Sequence, residues 1–339
     1  MNDVDPDDLE SLMAIDAKAE IDRILSFIRD VTEGLRRTSV VVGLSGGIDS
    51  AVTASLCVEA LGRDRVVGVV LPERDSSPES ERLASEHAER LGIEVVKRDI
   101  TPILESIGTY RMRDAVVKKI MGDVPEGSVM SLVQPKGLLE TGSLGIYRIK
   151  LTTPGGEVRE KRLNREGLRG IISSTNTKQR TRMMMLYLEA EKRGSLVGGT
   201  TNRTETLLGF FVKYGDGGVD IEPLSHLYKT QVYEIARYLE VPKAIIERAP
   251  SPDTFPDTVT DEDFYFRMDY PTLDRILLAW ELGLSPERTG AFMGRDPKQI
   301  ERAFEDARKK YEFTKHLREM PYSIPHSLKD EFRVPGPGK

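Results

Sequence analysis

The sequence contains 339 residues, of which 39% are hydrophobic, and it carries a formal net charge of −6 at pH 7. A chain of this length can bury one large core or a core with an added subdomain, and its acidic balance argues against a nucleic acid or a membrane surface as the main partner. The single cysteine, Cys57, excludes an internal disulfide and a cysteine-cluster metal site, and its apolar context predicts a buried packing role.

The first residues predict no targeting segment. Residues 1–8 are acidic, whereas a secretory signal needs positive charge followed by an apolar core, and no apolar run approaches the length of a membrane span. We therefore expect the protein in the cytoplasm. Apolar residues then recur at helical spacing, which predicts an amphipathic helix over 15–36.

Residues 39–50 read Ser-Val-Val-Val-Gly-Leu-Ser-Gly-Gly-Ile-Asp-Ser and predict a buried strand, a loop and a helix that ends near Gly62. At such a junction, Gly46 and Gly47 let the backbone approach a phosphate, and the first helical N–H groups attract anions. Asp49 is then a candidate Mg²⁺ ligand, because a carboxylate that faces polyphosphate needs a cation between them. The alternative is that Asp49 and Ser50 only cap the helix.

Two more strands and a helix follow this junction. The sequence predicts strands over 65–72 and 93–97, and between them a helix over 78–91 with Ser77 as its N-cap and Pro78 in its first turn. This order predicts an α/β fold with a doubly wound parallel sheet. A ligand is expected above the carboxyl ends of the strands.

The regular alternation stops between about 108 and 174, which we interpret as an insertion in the α/β domain. It contains a basic helix candidate over 111–121, and a Pro-Gly-Gly step inside 146–163 predicts a β-hairpin. The segment is either a surface excursion or oligomer contact, or a lid or specificity element, since long insertions are often functional.

Regular structure resumes with a predicted helix over 176–187, whose methionines we interpret as core residues, and a strand over 196–200. Charged loops at 201–205 and 209–220 follow the end of that strand. Loops in this position commonly carry binding sites.

These segments resemble a known family. The Ser-Gly-Gly-Ile-Asp-Ser step resembles the pyrophosphate loop of the N-type ATP pyrophosphatases, which cleave ATP between the α and β phosphates to adenylate a substrate. The motifs that match the NAD synthetases of that superfamily, in order, lie at residues 176–183, 199–205, 209–220, 223–229 and 249–251. The resemblance covers about 40–100 and 175–275, and it implies an adenine nucleotide α-hydrolase-like fold and an ammonia-dependent NAD synthetase.

The resemblance also implies site residues on the ATP side. The implied ATP contacts are Gly43, Leu44, Ser45, Gly46, Gly47, Ile48, Asp49, Ser50, Thr200, Lys229 and Ser251. Asp49 and Glu205 are implied to share Mg²⁺, and Asp49 and Lys229 to be catalytic. Lys229 would neutralise charge that develops on phosphate.

The positions that match the family's site for deamido-NAD are Arg180, Lys213, Asp220 and His316. Arg180 suits a phosphate or a carboxylate, although taken alone it could be a solvated helix charge. Three departures from the family pattern bear on which carboxylic acid is the substrate. Residues 252–259 lack the usual Ala and Gln, residues 263–270 lack a glycine, and Leu317 replaces a lysine after His316.

The remaining chain predicts a helix over 272–282, a second helix with Asp296 as its cap and Pro297 at its first position, and an extended tail from Pro321. We expect one domain over 1–275, which includes the insertion, and a helical extension with its tail over 276–339.

The implied reaction has two steps. The carboxylate of deamido-NAD attacks the α-phosphorus of ATP, and ammonia then displaces AMP to leave the amide. Ammonia is expected from outside, with a separate glutaminase as one source, because Cys57 lies in the wrong context to attack glutamine. A homodimer is also expected.

Other functions stay open at this point. The first alternative is the same chemistry on another carboxylic acid, and the second is a non-catalytic adenine-nucleotide-binding protein. A tRNA thiolase is disfavoured, because its sulfur chemistry needs reactive cysteines.

Overall fold

The structure is a computed structural model that describes residues 9–141 and 145–324. The predictions for the acidic residues 1–8 and for the end of the tail beyond residue 324 lie outside the described residues. In the part of the chain that is described, no helix is long and apolar enough to cross a membrane.

In the described part of the chain, seven strands form two sheets. In chain order the strands are β1 (Val40–Gly43), β2 (Val66–Val70), β3 (Glu94–Lys97), β4 (Val129–Val133), β5 (Arg148–Thr152), β6 (Val158–Arg162) and β7 (Leu196–Gly198). The main sheet has the order β3-β2-β1-β7 and is parallel throughout. The small sheet has the order β4-β5-β6 and is antiparallel.

Fifteen helices lie within the described residues. They are α1 (Leu9–Met13), α2 (Ala17–Gly34), α3 (Ile48–Leu61), α4 (Pro78–Leu91), α5 (Thr101–Ile107), α6 (Thr109–Met121), α7 (Leu138–Thr141), α8 (Arg165–Arg193), α9 (Arg203–Leu208), α10 (Lys229–Tyr238), α11 (Lys243–Ile246), α12 (Tyr270–Glu281), α13 (Pro286–Met293), α14 (Pro297–Phe313) and α15 (Lys315–Arg318). A 3₁₀ turn at Arg63–Arg65 precedes β2, and a π-helical turn at Glu262–Phe266 precedes α12.

The main sheet is covered on both faces, as the sequence predicted. Val40 and Val42 of β1 pack with helices α2, α3 and α10, whereas Val41 packs with α5 and α8 on the opposite face. A strand that is buried on both faces reads as a continuous apolar run. The predicted doubly wound parallel sheet is therefore confirmed. Cys57 is fully buried in the first of these cores, as expected.

Two predictions about helix α8 are wrong. The helix begins at Arg165 rather than at 176, because Asn164 caps it by accepting a hydrogen bond from the Gly167 N–H at 2.8 Å. A Cβ atom on Gly167 would lie 2.6 Å from Ile120 Cδ1 of α6, so the absence of a side chain here allows α8 to pack closely against α6. Met184 is 50% exposed and is not a core residue, although Met185 is buried.

The region predicted as an insertion holds more structure than a hairpin. The hairpin is present as β5 and β6, and the basic helix is present as α6, but β4 adds a third strand that the sequence reading missed. The sheet builds its own apolar core, which contains Leu132, Ile149 and Leu151 together with Phe255 and Val259 from a distant part of the chain. This sheet therefore packs against the segment near residue 255.

The C-terminal helices share a core with earlier elements. Residues of α12 and α14 cluster with Met13 of α1 and with Leu207 and Leu208 of α9. Asp296 caps α14 by accepting the Lys298 N–H at 2.8 Å, which confirms the predicted start of that helix. The division of the chain at residue 275 stays a prediction.

Candidate active site

The site is located where the sheet order reverses. Strands β1 and β7 are neighbours, and the chain leaves them in loops that lie side by side at the carboxyl edge. Asn202, which follows β7, donates from Nδ2 to Asp49 Oδ1 at 3.0 Å, so the loop after β7 is bonded directly to the first turn of α3. Ligands of open α/β sheets bind at such reversal points.

The loop after β1 has the shape of a phosphate loop. Gly46 adopts φ +73°, and a Cβ atom there would lie 2.2 Å from the Ser80 carbonyl oxygen, so only glycine fits. Ser50 Oγ accepts the Ser45 N–H at 3.2 Å and donates to the Gly47 carbonyl at 3.0 Å, which fixes the loop.

The N-cap of α3 is Gly47, which makes no side-chain capping bond. The cap role considered for Asp49 and Ser50 is therefore not the one they have, and the first-turn N–H groups receive no capping side chain at Gly47. An anion can bind at such a helix terminus.

Three ionisable side chains predicted from separate motifs meet here. Lys229 Nζ forms an ion pair with Asp49 Oδ2 and lies 3.8 Å from Glu205 Oε1, and the lysine is only 2% exposed. Lys229 begins α10, and Glu205 lies in the first turn of α9. Asn202 accepts the Glu205 N–H at 3.1 Å, and Glu205 accepts the Asn202 N–H at 3.2 Å. This capping box orients Glu205.

Burial and neighbouring charges shift the pKa values of Glu205 and Lys229. Burial raises the pKa of Glu205 well above its usual range, and repulsion from Asp49 raises it further. Burial opposes the charge on Lys229, but the attraction of Asp49, Glu205 and Asp261 outweighs burial and raises its pKa. These neighbours therefore favour the charged form of Lys229 at this edge.

The donor set fits one divalent cation that also binds phosphate. Across residues 9–141 and 145–324, no group of three or more His, Cys, Asp or Glu side chains is arranged to hold a metal ion. Mg²⁺ commonly takes only one or two protein carboxylates and completes its shell with phosphate oxygens and water. Asp49 Oδ2 and Glu205 Oε1 both face the same ammonium group, so the two carboxylates converge on one cationic point.

Asp261 belongs to the site and was not predicted. It is 4% exposed, Tyr270 donates to its Oδ2 at 2.8 Å, and its Oδ1 has no hydrogen-bond partner among the described residues. Burial raises the pKa of Asp261 to about 6, and attraction to Lys229 opposes that rise. An acidic residue inside the Thr260-Asp-Glu step was the available signal, but burial of its side chain arises only from the tertiary fold.

The residues predicted for the acid divide into two groups. Arg180 Nε donates to the Lys213 carbonyl at 3.3 Å, and Lys213 Nζ donates to the carbonyls of His316 and Glu319 at 2.5 and 2.9 Å. These contacts bring Arg180, Lys213 and His316 together, and they fasten the end of the described chain to the loop after α9.

Asp220 is placed elsewhere. It accepts the Tyr187 hydroxyl at 3.1 Å and the Val197 N–H at 2.8 Å. It also lines an open cavity of about 470 Å³ with Thr201 and Leu317. One of the three departures from the family pattern, Leu317, therefore faces the same cavity as a predicted acid-binding residue.

The other two predicted ATP contacts lie on loops around this edge. Thr200 lies two residues after the end of β7 and is partly exposed. Ser251 accepts the Asp253 N–H at 3.3 Å, and the adjacent Pro250 carbonyl accepts the Asp261 N–H at 3.0 Å.

Comparison with known proteins identifies the family. The NAD synthase family profile matches residues 20–124 and 153–321. The chain is 41% identical to the NH₃-dependent NAD⁺ synthetase of Mesorhizobium japonicum over 91% of this chain and 97% of that protein. It is 46% identical to the NH₃-dependent NAD⁺ synthetase of Thermotoga maritima over 82% of this chain and 91% of that protein.

Solved structures agree on the fold. The NMN synthetase of Francisella tularensis has a TM-score of 0.61 and 25% identity, and the match covers 92% of this chain and 100% of that one. The NH₃-dependent NAD synthetase of Campylobacter jejuni has a TM-score of 0.60 and 23% identity at the same coverage. The family and the fold class expected from the sequence are confirmed, and this chain belongs to the NAD synthase family.

Proposed function

We propose that the chain catalyses the ATP-dependent amidation of deamido-NAD with ammonia, which gives NAD, AMP and pyrophosphate. The observation that carries this proposal is the buried Lys229 cation between Asp49 and Glu205, beside the glycine loop at the carboxyl edge of the sheet. Relatives at 41% and 46% identity are named NH₃-dependent NAD⁺ synthetases, which supports the same reaction here.

The residues act by position and charge. The glycine loop and the first turn of α3 bind the phosphates of ATP through N–H groups. Lys229 is buried beside carboxylates that favour its charged form, so it stabilises negative charge that develops at the α-phosphate when the carboxylate attacks. Asn202 holds Asp49 and Glu205 in place through hydrogen bonds of 3.0 to 3.2 Å. The reaction needs no covalent intermediate on the enzyme.

We assign Asp49 and Glu205 as the ligands of Mg²⁺. When bound, this ion would neutralise the polyphosphate and help pyrophosphate to leave. Their convergence on Lys229 supports the assignment, because it places oxygens of both carboxylates close together, and each side chain is partly exposed, at 18% for Asp49 and 16% for Glu205.

The magnesium assignment predicts that Asp49→Asn and Glu205→Gln each lower pyrophosphate release by at least 10²-fold, since each removes a negative ligand. Pyrophosphate release and magnesium titration of ATP binding are the measurements, and circular dichroism checks the fold. Asp64→Asn is a matched control, because the Asp64 side chain is 96% exposed on a surface turn. Near-normal turnover in either site variant would contradict the assignment.

A second acid has its own support. The NMN synthetase of Francisella tularensis shares 25% identity with this chain, and Leu317 departs from the family pattern beside a cavity that could hold part of the acid. The competing proposal is therefore the same chemistry on the deamidated form of NMN. The higher identity to the NAD⁺ synthetases favours deamido-NAD.

One assay separates the two acids. The protein is incubated with Mg-ATP, ammonium and either deamido-NAD or deamidated NMN, and AMP and the amide are quantified. We expect a larger kcat/KM for deamido-NAD. A larger kcat/KM for the mononucleotide would assign the second activity. If neither acid supported ATP cleavage, both proposals would be refuted.

Three further expectations are part of the proposal. The protein works as a homodimer, it takes ammonia directly or from a separate glutaminase, and it acts in the cytoplasm. We also propose that the acid substrate is bound by Arg180, Lys213, Asp220 and His316. ATP is proposed to be contacted by Thr200 and Ser251 as well.

A further inference from the structure

Asp257 joins the small sheet to one loop of the active site through hydrogen bonds and an ion pair. The Asp257 N–H donates to the Met130 carbonyl of β4 at 3.1 Å. Its Oδ2 pairs with Lys150 Nζ of β5 at 2.9 Å and accepts the hydroxyls of Thr152 and Ser131 at 3.2 and 3.4 Å. The Asp257 side chain is 15% exposed, so these bonds are largely shielded from water.

A second group of bonds joins the same sheet to the chain a few residues later. Gln134, just past β4, donates its N–H to the Asp263 carbonyl at 2.8 Å and its Nε2 to the Phe264 carbonyl at 2.9 Å. Arg267 Nε donates to the Pro135 carbonyl at 2.9 Å. The sheet therefore binds the backbone at both ends of residues 257–267.

Apolar contacts lie between these polar ones. Phe255 and Val259 are buried in one cluster with Leu132 and Ile149 of the sheet. The ring of Phe264 lies 5.8 Å from the ring of Tyr147, which precedes β5. Residues 250–260 form no helix or strand of their own, so most of their order comes from such contacts.

The same segment also contacts helix α8 and places Asp261 near Lys229. Lys178, fully buried on α8, donates to the Thr254 carbonyl at 2.8 Å. Asp261 adds negative charge near Lys229, and Ser251 begins the segment. A displacement of residues 250–267 would therefore move Asp261 and Ser251 relative to the phosphate loop.

We propose that the β4-β5-β6 sheet is a brace that holds residues 250–267 in the catalytic position before substrates bind, and that Asp257 is its central positioning residue. The NAD synthase profile leaves residues 125–152 unmatched, and those residues contain β4 and β5. Two of the three strands of the brace thus come from a part of the chain outside the matched family pattern, whereas β6 lies within it. Its kinetic consequence rests on the proposed function.

The physical gain is preorganisation. Fixing the backbone of a flexible residue costs about 1–2 kcal/mol, so a loop that must order around its substrates weakens their binding. A loop that is already held avoids this cost. Loss of the brace should therefore raise KM, whereas partial unfolding would only reduce the amount of active enzyme and leave KM unchanged.

The test uses the full chain and compares Asp257→Ala with Glu160→Ala. Glu160 lies on β6 of the same sheet and pairs with Arg148 at 3.3 Å, within the sheet itself. Hydrogen exchange of the substrate-free protein is expected to accelerate at least tenfold over residues 250–264 in Asp257→Ala alone. The KM for ATP or the acid is expected to rise about tenfold in that variant, and Glu160→Ala should match the wild type.

Lys150→Met is the milder companion variant, and it keeps the test decisive if Asp257→Ala does not fold. Lys150→Met should also accelerate hydrogen exchange and raise KM, but by smaller factors. The effects of Lys150→Met and Asp257→Ala should not add in the double variant, because both substitutions remove the same contact. Unchanged exchange and unchanged KM in Lys150→Met and in any folded Asp257→Ala would overturn the brace. If exchange accelerates but no variant, including the wild type, uses deamido-NAD, then the proposed acid is wrong and the brace stands.

Discussion

Gly46 is the residue at which backbone geometry most directly limits the site. Its φ of +73° favours glycine, and an added Cβ atom would lie 2.2 Å from the Ser80 carbonyl. Gly46→Ala is expected to lower the free energy of unfolding by about 1–3 kcal/mol and to weaken ATP binding, because the loop must shift. Thermal unfolding and ATP titration measure both effects.

The neighbouring glycine supplies the control. Gly47 has φ −94°, and an added Cβ atom would approach only Ser45 Oγ, at 3.3 Å. Gly47→Ala should therefore leave the free energy of unfolding close to that of the wild type. Equal destabilisation in the two variants would show that the conformation of Gly46 is not the cause.

Asp274 predicts a pH dependence of stability. It is fully buried and accepts the Thr204 hydroxyl at 2.6 Å and the Thr230 N–H at 2.8 Å. Burial raises its pKa to about 6, whereas an unfolded aspartate titrates near 3.9. The native state therefore binds more protons than the unfolded state between these values, and the stability from the protonated carboxyl is lost as the pH rises through 6.

We expect Asp274→Asn to remove this contribution. The free energy of unfolding of the wild type minus that of the variant should fall by roughly 2 kcal/mol between pH 4 and pH 7. Urea unfolding at several pH values gives this difference. Parallel stability curves would contradict the assignment to Asp274.

At the residue scale, sequence motifs predicted the site residues whose roles depend on local sequence. Asp49, Glu205 and Lys229 stand in recognisable steps after strands or at helix starts, and the structure brings them together. Asp261 and Asn202 were missed as members of the site. Their roles depend on burial and on a bond between two distant loops, which no local pattern reveals.

At the scale of elements, helices and buried strands were predictable where the apolar spacing was regular. The start of α8 was not, because residues up to about 174 were assigned to the irregular insertion, whereas Asn164 caps the helix just before Arg165. Strand β4 was missed for a related reason. Its partner β5 lies 15 or more residues away in the chain and beyond a loop, so its pairing has no local turn signal.

The small sheet predicts unequal effects of two truncations on neighbouring strands. Ile149 of β5 is fully buried, so Ile149→Ala should lower the free energy of unfolding by about 2–4 kcal/mol. Val158 of β6 is 54% exposed, so Val158→Ala should change it by less than about 0.5 kcal/mol. Urea unfolding measures both. Similar losses would mean that the sheet has no apolar core of its own.

At the scale of the molecule, the protein is expected to be a homodimer. Large apolar side chains are exposed near the end of the described chain, including Phe313 at 78% and Tyr322 at 77%. Closed two-fold symmetry is the commonest arrangement for such assemblies. Light scattering should give twice the chain mass of 38.0 kDa. A mass of one chain at the concentrations used for assays would contradict the prediction.

The outer strands of the main sheet have a consequence for solubility. On β7, the Val197 carbonyl accepts the N–H groups of Asp220 and Ile221, and the Asp220 carboxylate takes the Val197 N–H. On β3, the outermost positions carry Glu94 and Lys97, both exposed. An edge strand with unpaired backbone groups or without charged side chains can pair with a strand of another molecule, which leads to aggregation. Asp220, which we propose to bind the acid, thus also occupies a backbone donor of β7 that a strand of another molecule would need for pairing.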